Sequence, residues 1–301
     1  MEDYTRFATS RECRDERTRL ADGHDAAESS GFGAKLTFFS STAPLVFAHR
    51  GGCALGPENT IAAFDAGLAA GADGLELDVH LSADGILVVH HDATLDRTTS
   101  ARGPVSARTA AELRRIAADR QFAPSSPRRV SREVDPAVCI PTLSSVLARY
   151  PNIPVIIEMK VDSDEMGLAL AREVQAAGAV ARVCAAGFGL RSLRAARRAL
   201  PQMASSASQP EVRLALYRSW VRWPVKRVPY QGYQVPEHAG ATRIVSPRFI
   251  RDAHDAGLKI QIWTVDEETD MRRFLGWGAD ALISNRPDVA VRIRDEFLRQ
   301  A

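Results

Sequence analysis

Glu76, Asp78 and His80 stand two residues apart in Gly74-Leu-Glu-Leu-Asp-Val-His80, so on a β-strand all three project to one face. Leu75, Leu77 and Val79 take the other. Two carboxylates on one face repel unless a cation lies between them, although an exposed edge strand with solvated charges would carry the same pattern. Val155-Ile-Ile-Glu-Met-Lys160 repeats the arrangement with Glu158 and Lys160. Here Ile156 and Ile157 predict burial on both faces. An unpaired buried carboxylate is costly, so Glu158 needs Lys160 or a metal ion as partner.

Three carboxylates at strand ends make a hard, all-oxygen donor set suited to Mg²⁺ or Ca²⁺ rather than zinc. His49 and His91 also follow apolar runs, and two imidazoles with ordinary pKa values near about 6.5 can serve as base and acid around neutral pH. Arg50 and Lys160 add fixed positive charge, and a guanidinium fork matches phosphate oxygens. Together these residues describe hydrolysis of a phosphate ester, in which charge gathers on non-bridging oxygens and a leaving alkoxide needs a proton.

The elements that must position them read as alternating strands and helices. Strands are expected at Pro44–Ala48, Gly74–His80, Ile86–Val89, Val155–Met159, Arg182–Ala186, Val212–Leu216, Lys259–Val265 and Ala281–Ser284. A helix over Glu58–Ala70 carries Ile61, Phe64 and Leu68 at helical spacing and stops at Gly71. Such alternation predicts a parallel sheet with helices outside, and the strand count suits a closed eight-stranded α/β barrel. Residues 93–140, with Pro104, Asp135-Pro136 and a Ser/Arg/Pro run, read as an insertion. Residues 1–42 are polar without periodicity and read as a flexible extension ahead of a single domain over 43–301.

Lys and Arg number 39 against 37 Asp and Glu, so no global field favours nucleic acid or an anionic membrane. The four cysteines are scattered without a C-x-x-C pair and read as reduced thiols. The N-terminal stretch lacks the apolar run of a secretory signal, and no apolar segment is of spanning length. A cytoplasmic enzyme is the expectation.

The chain resembles the glycerophosphodiester phosphodiesterase family. His49-Arg-Gly51, Pro57-Glu-Asn-Thr60, Glu76-Leu-Asp-Val79, Val88-Val-His-His-Asp92 through Leu95-Asp-Arg-Thr98, Ile140-Pro-Thr-Leu143, Ile157-Glu-Met-Lys160 and Trp263-Thr-Val265 match its motifs in order, over about Leu45 to Asp288. The resemblance implies a TIM (β/α)8 barrel with an insertion after the strand that carries His91. It implies that Glu76, Asp78 and Glu158 are metal ligands, and that His49 and His91, rather than His90, are acid and base. Arg50, Lys160 and Trp263 would bind substrate, with Glu58 and Asn59 in support. The implied reaction uses the glycerol 2-hydroxyl to attack phosphorus, passes through a cyclic phosphate and yields an alcohol and sn-glycerol 3-phosphate.

Two departures stand out. Ser284-Asn285-Arg-Pro287 replaces the usual Thr-Asp before proline, and Ala186-Gly-Phe188 replaces the usual Ser-Phe. Neither is expected to touch a ligand or a catalytic histidine, so both bear on the substrate's far end.

Val212 to Pro236 interleaves Arg213, Arg218, Arg222, Lys226 and Arg227 with Tyr217, Trp220, Trp223, Tyr230 and Tyr233 and holds no acidic residue. It reads either as an amphipathic lip for a membrane surface or lysophospholipid, or as a barrel helix whose aromatics pack inward. Two further readings stand beside glycerophosphodiester hydrolysis: a phospholipase D-like enzyme making cyclic lipid phosphates, and an inactive barrel kept as a binding module. The second is disfavoured by the presence of both histidines and all three carboxylates. Nucleic-acid binding would rest on the 212–236 stretch alone and is not expected.

Overall fold

Apolar runs of four or five residues cannot bury themselves singly, and here they pair side by side. The computed structural model of the chain describes residues 37–122 and 135–300. Among these, eight parallel strands follow one another: β1 (Leu45–Ala48), β2 (Gly74–Leu81), β3 (Val155–Met159), β4 (Val183–Ala186), β5 (Ala204–Ser205), β6 (Gly232–Val235), β7 (Lys259–Ile262) and β8 (Ala281–Ser284). β8 returns to β1 with Leu45 opposite Ala281. A single parallel bridge between Ser206 and Gly232 joins the β5 and β6 sides and brings the ring to near closure.

Helices follow the strands as α1 (Ile61–Ala69), α2 (Leu143–Arg149), α3 (Asp164–Ala176), α4 (Leu190–Ala199), α5 (Gln209–Trp220), α6 (Pro247–Asp255), α7 (Glu268–Trp277) and α8 (Pro287–Gln300). Thr60, Thr142, Ser163 and Ser246 each accept a hydrogen bond from the backbone N–H three residues on, which fixes where α1, α2, α3 and α6 begin. The helix expected from Glu58 therefore starts at Ile61, because Thr60 is its cap.

Strand periodicity sorts side chains into two environments. Leu75, Leu77, Val79, Val155 and Ile157 face outward into one shell of helix contacts, and Val46, Ile260, Ile262 and Leu282 into another. Phe47, Ile156, Cys184, Ala204, Ala281 and Ile283 cluster in the barrel interior with Phe38. Phe38 stacks on Phe47 with ring centroids 5.7 Å apart. The 3-10 turn Thr37–Phe39, which lies within the stretch read as an extension, thus packs on the barrel. Residues 1–36 of the expected extension lie outside the described residues.

Two expected strands are corrected. Ile86–Val89 is Leu87–Val89, and it pairs antiparallel with the end of β2 rather than joining the barrel. Val212–Leu216 lies inside α5, where Ser208 and Glu211 form a capping box and Pro210 occupies the first turn. β5 and β6 take the two vacant places in the ring. After Leu87–Val89 comes the insertion, whose described residues Leu95, Val105, Leu113 and Ile140 form their own apolar cluster with Val88. No helix among the described residues is long and apolar enough to cross a membrane.

Candidate active site

β2 and β3 pair in register with Asp78 opposite Glu158, so their inward side chains converge at the strand C-termini. One oxygen each of Glu76, Asp78 and Glu158 lies within 4.8 Å of the others. Glu76 and Asp78 are buried. Lys160 Nζ stands 2.8 Å from Glu158 Oε1 and 3.3 Å from Asp78 Oδ1. The Arg50 N–H donates to Glu76 Oε2 at 3.0 Å, Arg50 Nε lies 3.3 Å from Asp78 Oδ2, and Asn59 Nδ2 donates to that oxygen at 2.8 Å.

Burial, then repulsion from Asp78 and Glu158, pushes the Glu76 carboxyl well above the ordinary range. Burial, then Asp78, raises Glu158 as well. Burial also opposes ionisation of Asp78, but Lys160 and Arg50 outweigh it and hold that carboxyl low. Three carboxylates against Lys160 and Arg50 leave negative charge uncompensated in a buried, all-oxygen cluster. A hard divalent cation fits that donor set. His80 shares the strand face but is turned away: its Nε2 meets the His91 carbonyl at 3.0 Å.

The loop after β1 carries Arg50 and Asn59, both with left-handed backbone (φ 51° and 59°). Non-glycine residues held there are strained, and such strain collects at functional sites. Gly51 must be glycine, since a Cβ would meet Phe64 and Ala63 of α1 at under 3 Å. Glu58 accepts from Arg50 Nη1 at 3.2 Å and from Arg97 Nη2 at 2.7 Å. Arg97 Nε in turn donates to Asp92 Oδ2 at 2.6 Å, and His91 Nδ1 meets Asp92 Oδ1 at 2.6 Å. One continuous polar chain thus links His91 to Arg50. Asp92 and Arg97 escaped the sequence reading as site residues, although both lie in quoted motifs. His90 is buried, with Nε2 on the Thr94 carbonyl at 3.1 Å. His91 is the one that reaches the cleft.

That cleft, about 140 Å³, is lined by His49, Arg50, Glu76, His91, Glu158, Lys160 and Trp263. His49 Nε2 is 3.9 Å from Glu76 Oε2, and its Nδ1 is 2.7 Å from Asn285 Oδ1. Asn285 Nδ2 is committed to Asp266 Oδ2 at 2.7 Å. The Asn285 oxygen therefore accepts, His49 carries its proton on Nδ1, and Nε2 presents a lone pair to the cleft. Burial, then the Arg50 charge, lowers the His49 pKa. The expectation that the Asn285 departure touches neither His49 nor His91 is overturned by this contact. The signal was its position directly after β8, at the barrel mouth.

In the 212–236 stretch, Tyr230 and Tyr233 are buried in the core, but just before β6 and on β6 rather than on a helix. Tyr217, Trp220 and Trp223 do not follow, and all three are more than half exposed.

Residues 49–289 match the family model of the Glycerophosphoryl diester phosphodiesterase family. A glycerophosphodiester phosphodiesterase of Bacillus altitudinis is 32% identical over 84% of this chain and 98% of its own length. Among solved structures, the glycerophosphoryl diester phosphodiesterase domain of a Mycobacterium tuberculosis protein superposes with a TM-score of 0.71 at 23% identity, over 84% of this chain and 99% of that one. An Oleispira antarctica phosphodiesterase, solved in complex with its product sn-glycerol-3-phosphate, superposes with a TM-score of 0.64 at 24% identity, over 84% and 97%.

Proposed function

The chain belongs to the glycerophosphoryl diester phosphodiesterase family, and from that premise we propose that it hydrolyses glycerophosphodiesters to an alcohol and sn-glycerol 3-phosphate, as a cytoplasmic, metal-dependent enzyme with two catalytic histidines. One observation carries the reading. Two imidazoles with unlike partners, a neutral amide behind His49 and a carboxylate behind His91, line one cleft beside three carboxylates.

Glu76, Asp78 and Glu158 would hold Mg²⁺ or Ca²⁺. When bound, the ion neutralises developing charge on phosphate oxygens. Arg50 and Lys160 bind the same oxygens and orient the phosphorus. His49 Nε2, unprotonated in this tautomer, takes the proton of the glycerol 2-hydroxyl as it attacks. His91, whose Nδ1 is held by Asp92, gives a proton from Nε2 to the departing alkoxide. Opening of the cyclic phosphate by water reverses the two roles. Glu58 and Asn59 keep Arg50 and Asp78 in place, and Trp263 walls the substrate in.

The test is release of glycerol 3-phosphate from glycerophosphocholine by purified protein, with and without chelator, beside His91→Ala and His90→Ala. Chelator-sensitive release lost in His91→Ala but kept in His90→Ala is expected. No release from choline, ethanolamine or inositol diesters with either ion sinks the proposal.

Peripheral contact with anionic lipid belongs to the same reading. Tyr217, Trp220 and Trp223 stand exposed among Arg218, Arg222, Lys226 and Arg227, a composition suited to a headgroup layer.

A further inference from the structure

Beside the catalytic cleft lies a second, larger recess of about 240 Å³. At about 30 Å³ per liquid water, that is room for about eight waters. Glu158, Ala186, Phe188, Gln234 and Trp263 line both spaces, so the recess lies directly beside the cleft in which phosphorus would sit. Val212 and Leu216 of α5, with Ala239 and Ile244, form its apolar wall. Phe188 and Trp263 meet edge to face at 5.9 Å beside it.

Charge in the recess is sparse, one residue of each sign. Glu158 and Arg213 are its charged lining residues, and Glu158 is committed to Lys160 and the carboxylate cluster. Arg213 would repel an ammonium group. Ser206, Gln209, Gln234 and Thr242 also line the recess, and against its apolar wall an apolar group that displaces water gains affinity.

We propose that this recess is a subsite for an apolar chain carried on the phosphodiester, so that the enzyme favours substrates bearing an alkyl or acyl group over wholly polar ones. The proposal rests on the phosphodiesterase reading. The chain can sit on the alcohol that leaves or on the glycerol that stays, and the two are separable by substrate series.

The experiment measures kcat/KM for glycerol 3-phosphate n-alkyl diesters from ethyl to octyl, and for 1-O-alkyl-glycerophosphocholines of matching chain lengths, all below micelle formation. Alkanols from ethanol upward are near-equal leaving groups, so a trend reports binding. In one series kcat/KM should rise about fourfold per methylene until the recess is full. A rise in the first places the chain on the leaving alcohol, and a rise in the second places it on the glycerol. Ala239→Trp, on an exposed hairpin that lines the recess but not the catalytic cleft, should flatten the slope and leave the ethyl diester unaffected. Turnover with both series flat overturns the subsite alone, as does a slope that survives Ala239→Trp. Absence of hydrolysis throughout overturns the phosphodiesterase reading together with it.

Discussion

Asn285 Oδ1 sits 2.7 Å from His49 Nδ1, and its own amide nitrogen is held by Asp266 at 2.7 Å. The Cys53 thiol donates to the same oxygen at 2.7 Å. A neutral amide thus sets the His49 tautomer, with the carboxylate one step further back. Asn285→Asp puts negative charge directly on the imidazole, which favours its protonated form. The acid limb of the kcat/KM profile should then move to higher pH. Asn285→Leu removes the acceptor and should lower kcat by about 10- to 100-fold, as loss of a supporting hydrogen bond typically does, with KM little changed. A pH–rate series on the three proteins decides it, and an acid limb that stays in place in Asn285→Asp would show that His49 is not the group titrating.

Most of this site was legible because strand alternation places Glu76, Asp78, Glu158 and Lys160 on inward faces whatever the barrel's detail. The polar chain behind it was not, since Asp92–Arg97–Glu58 and Asp266–Asn285–His49 join residues from distant loops that no local pattern pairs. In the fold, the expected number of strands was right through two compensating pairs of differences. Val212–Leu216 has apolar residues enough for a strand, but Ser208-Gln-Pro-Glu211 in front of it is a helix start. β5 went unread because Ala204-Ser205 is two small residues, and β6 because Gly232 and Gln234 interrupt its apolar character.

Glu76 and Glu158 are held above the ordinary carboxyl value of 4.5, by burial first and then by Asp78. A raised folded pKa means that the folded state binds protons more tightly, so metal-free protein should lose stability as pH climbs from about 4.5 through the folded values. Asp78, held low, stays ionised over that window. A divalent ion displaces those protons and relieves the repulsion. The rise in Tm on adding Mg²⁺ or Ca²⁺ should therefore grow with pH from about 5 to 8, and Glu158→Gln should shrink it. Scanning fluorimetry across that range, finding an increment that is constant or nil, would contradict the assignment of these carboxylates.

Arg97 bridges Asp92 and Glu58, and through them His91 and Arg50. Its planar fork spans both carboxylates, which a lysine ammonium cannot do. Arg97→Lys should lower kcat by about 10- to 100-fold, the usual scale for a supporting contact. Because the pair is part-exposed, stability should change by no more than about 1 kcal/mol. Steady-state kinetics beside thermal melts separate the two effects. Full kcat in Arg97→Lys would mean that His91 and Arg50 are positioned without it.

Trp220 and Trp223 are exposed to 58% and 66%, leaving two indoles on the surface. With Arg218, Arg222, Lys226 and Arg227 around them, they should bind anionic lipid, each cation near the surface contributing about 1 kcal/mol. Co-sedimentation with phosphatidylserine-containing vesicles is expected, weakening as salt screens the cations, and absent with phosphatidylcholine alone. Trp220→Ala with Trp223→Ala should abolish it while kcat/KM on a water-soluble diester stays unchanged, because neither residue lines the cleft. Binding that the double variant retains would assign the contact to charge alone, and no binding to anionic vesicles at low salt would leave the aromatic cluster without a lipid role.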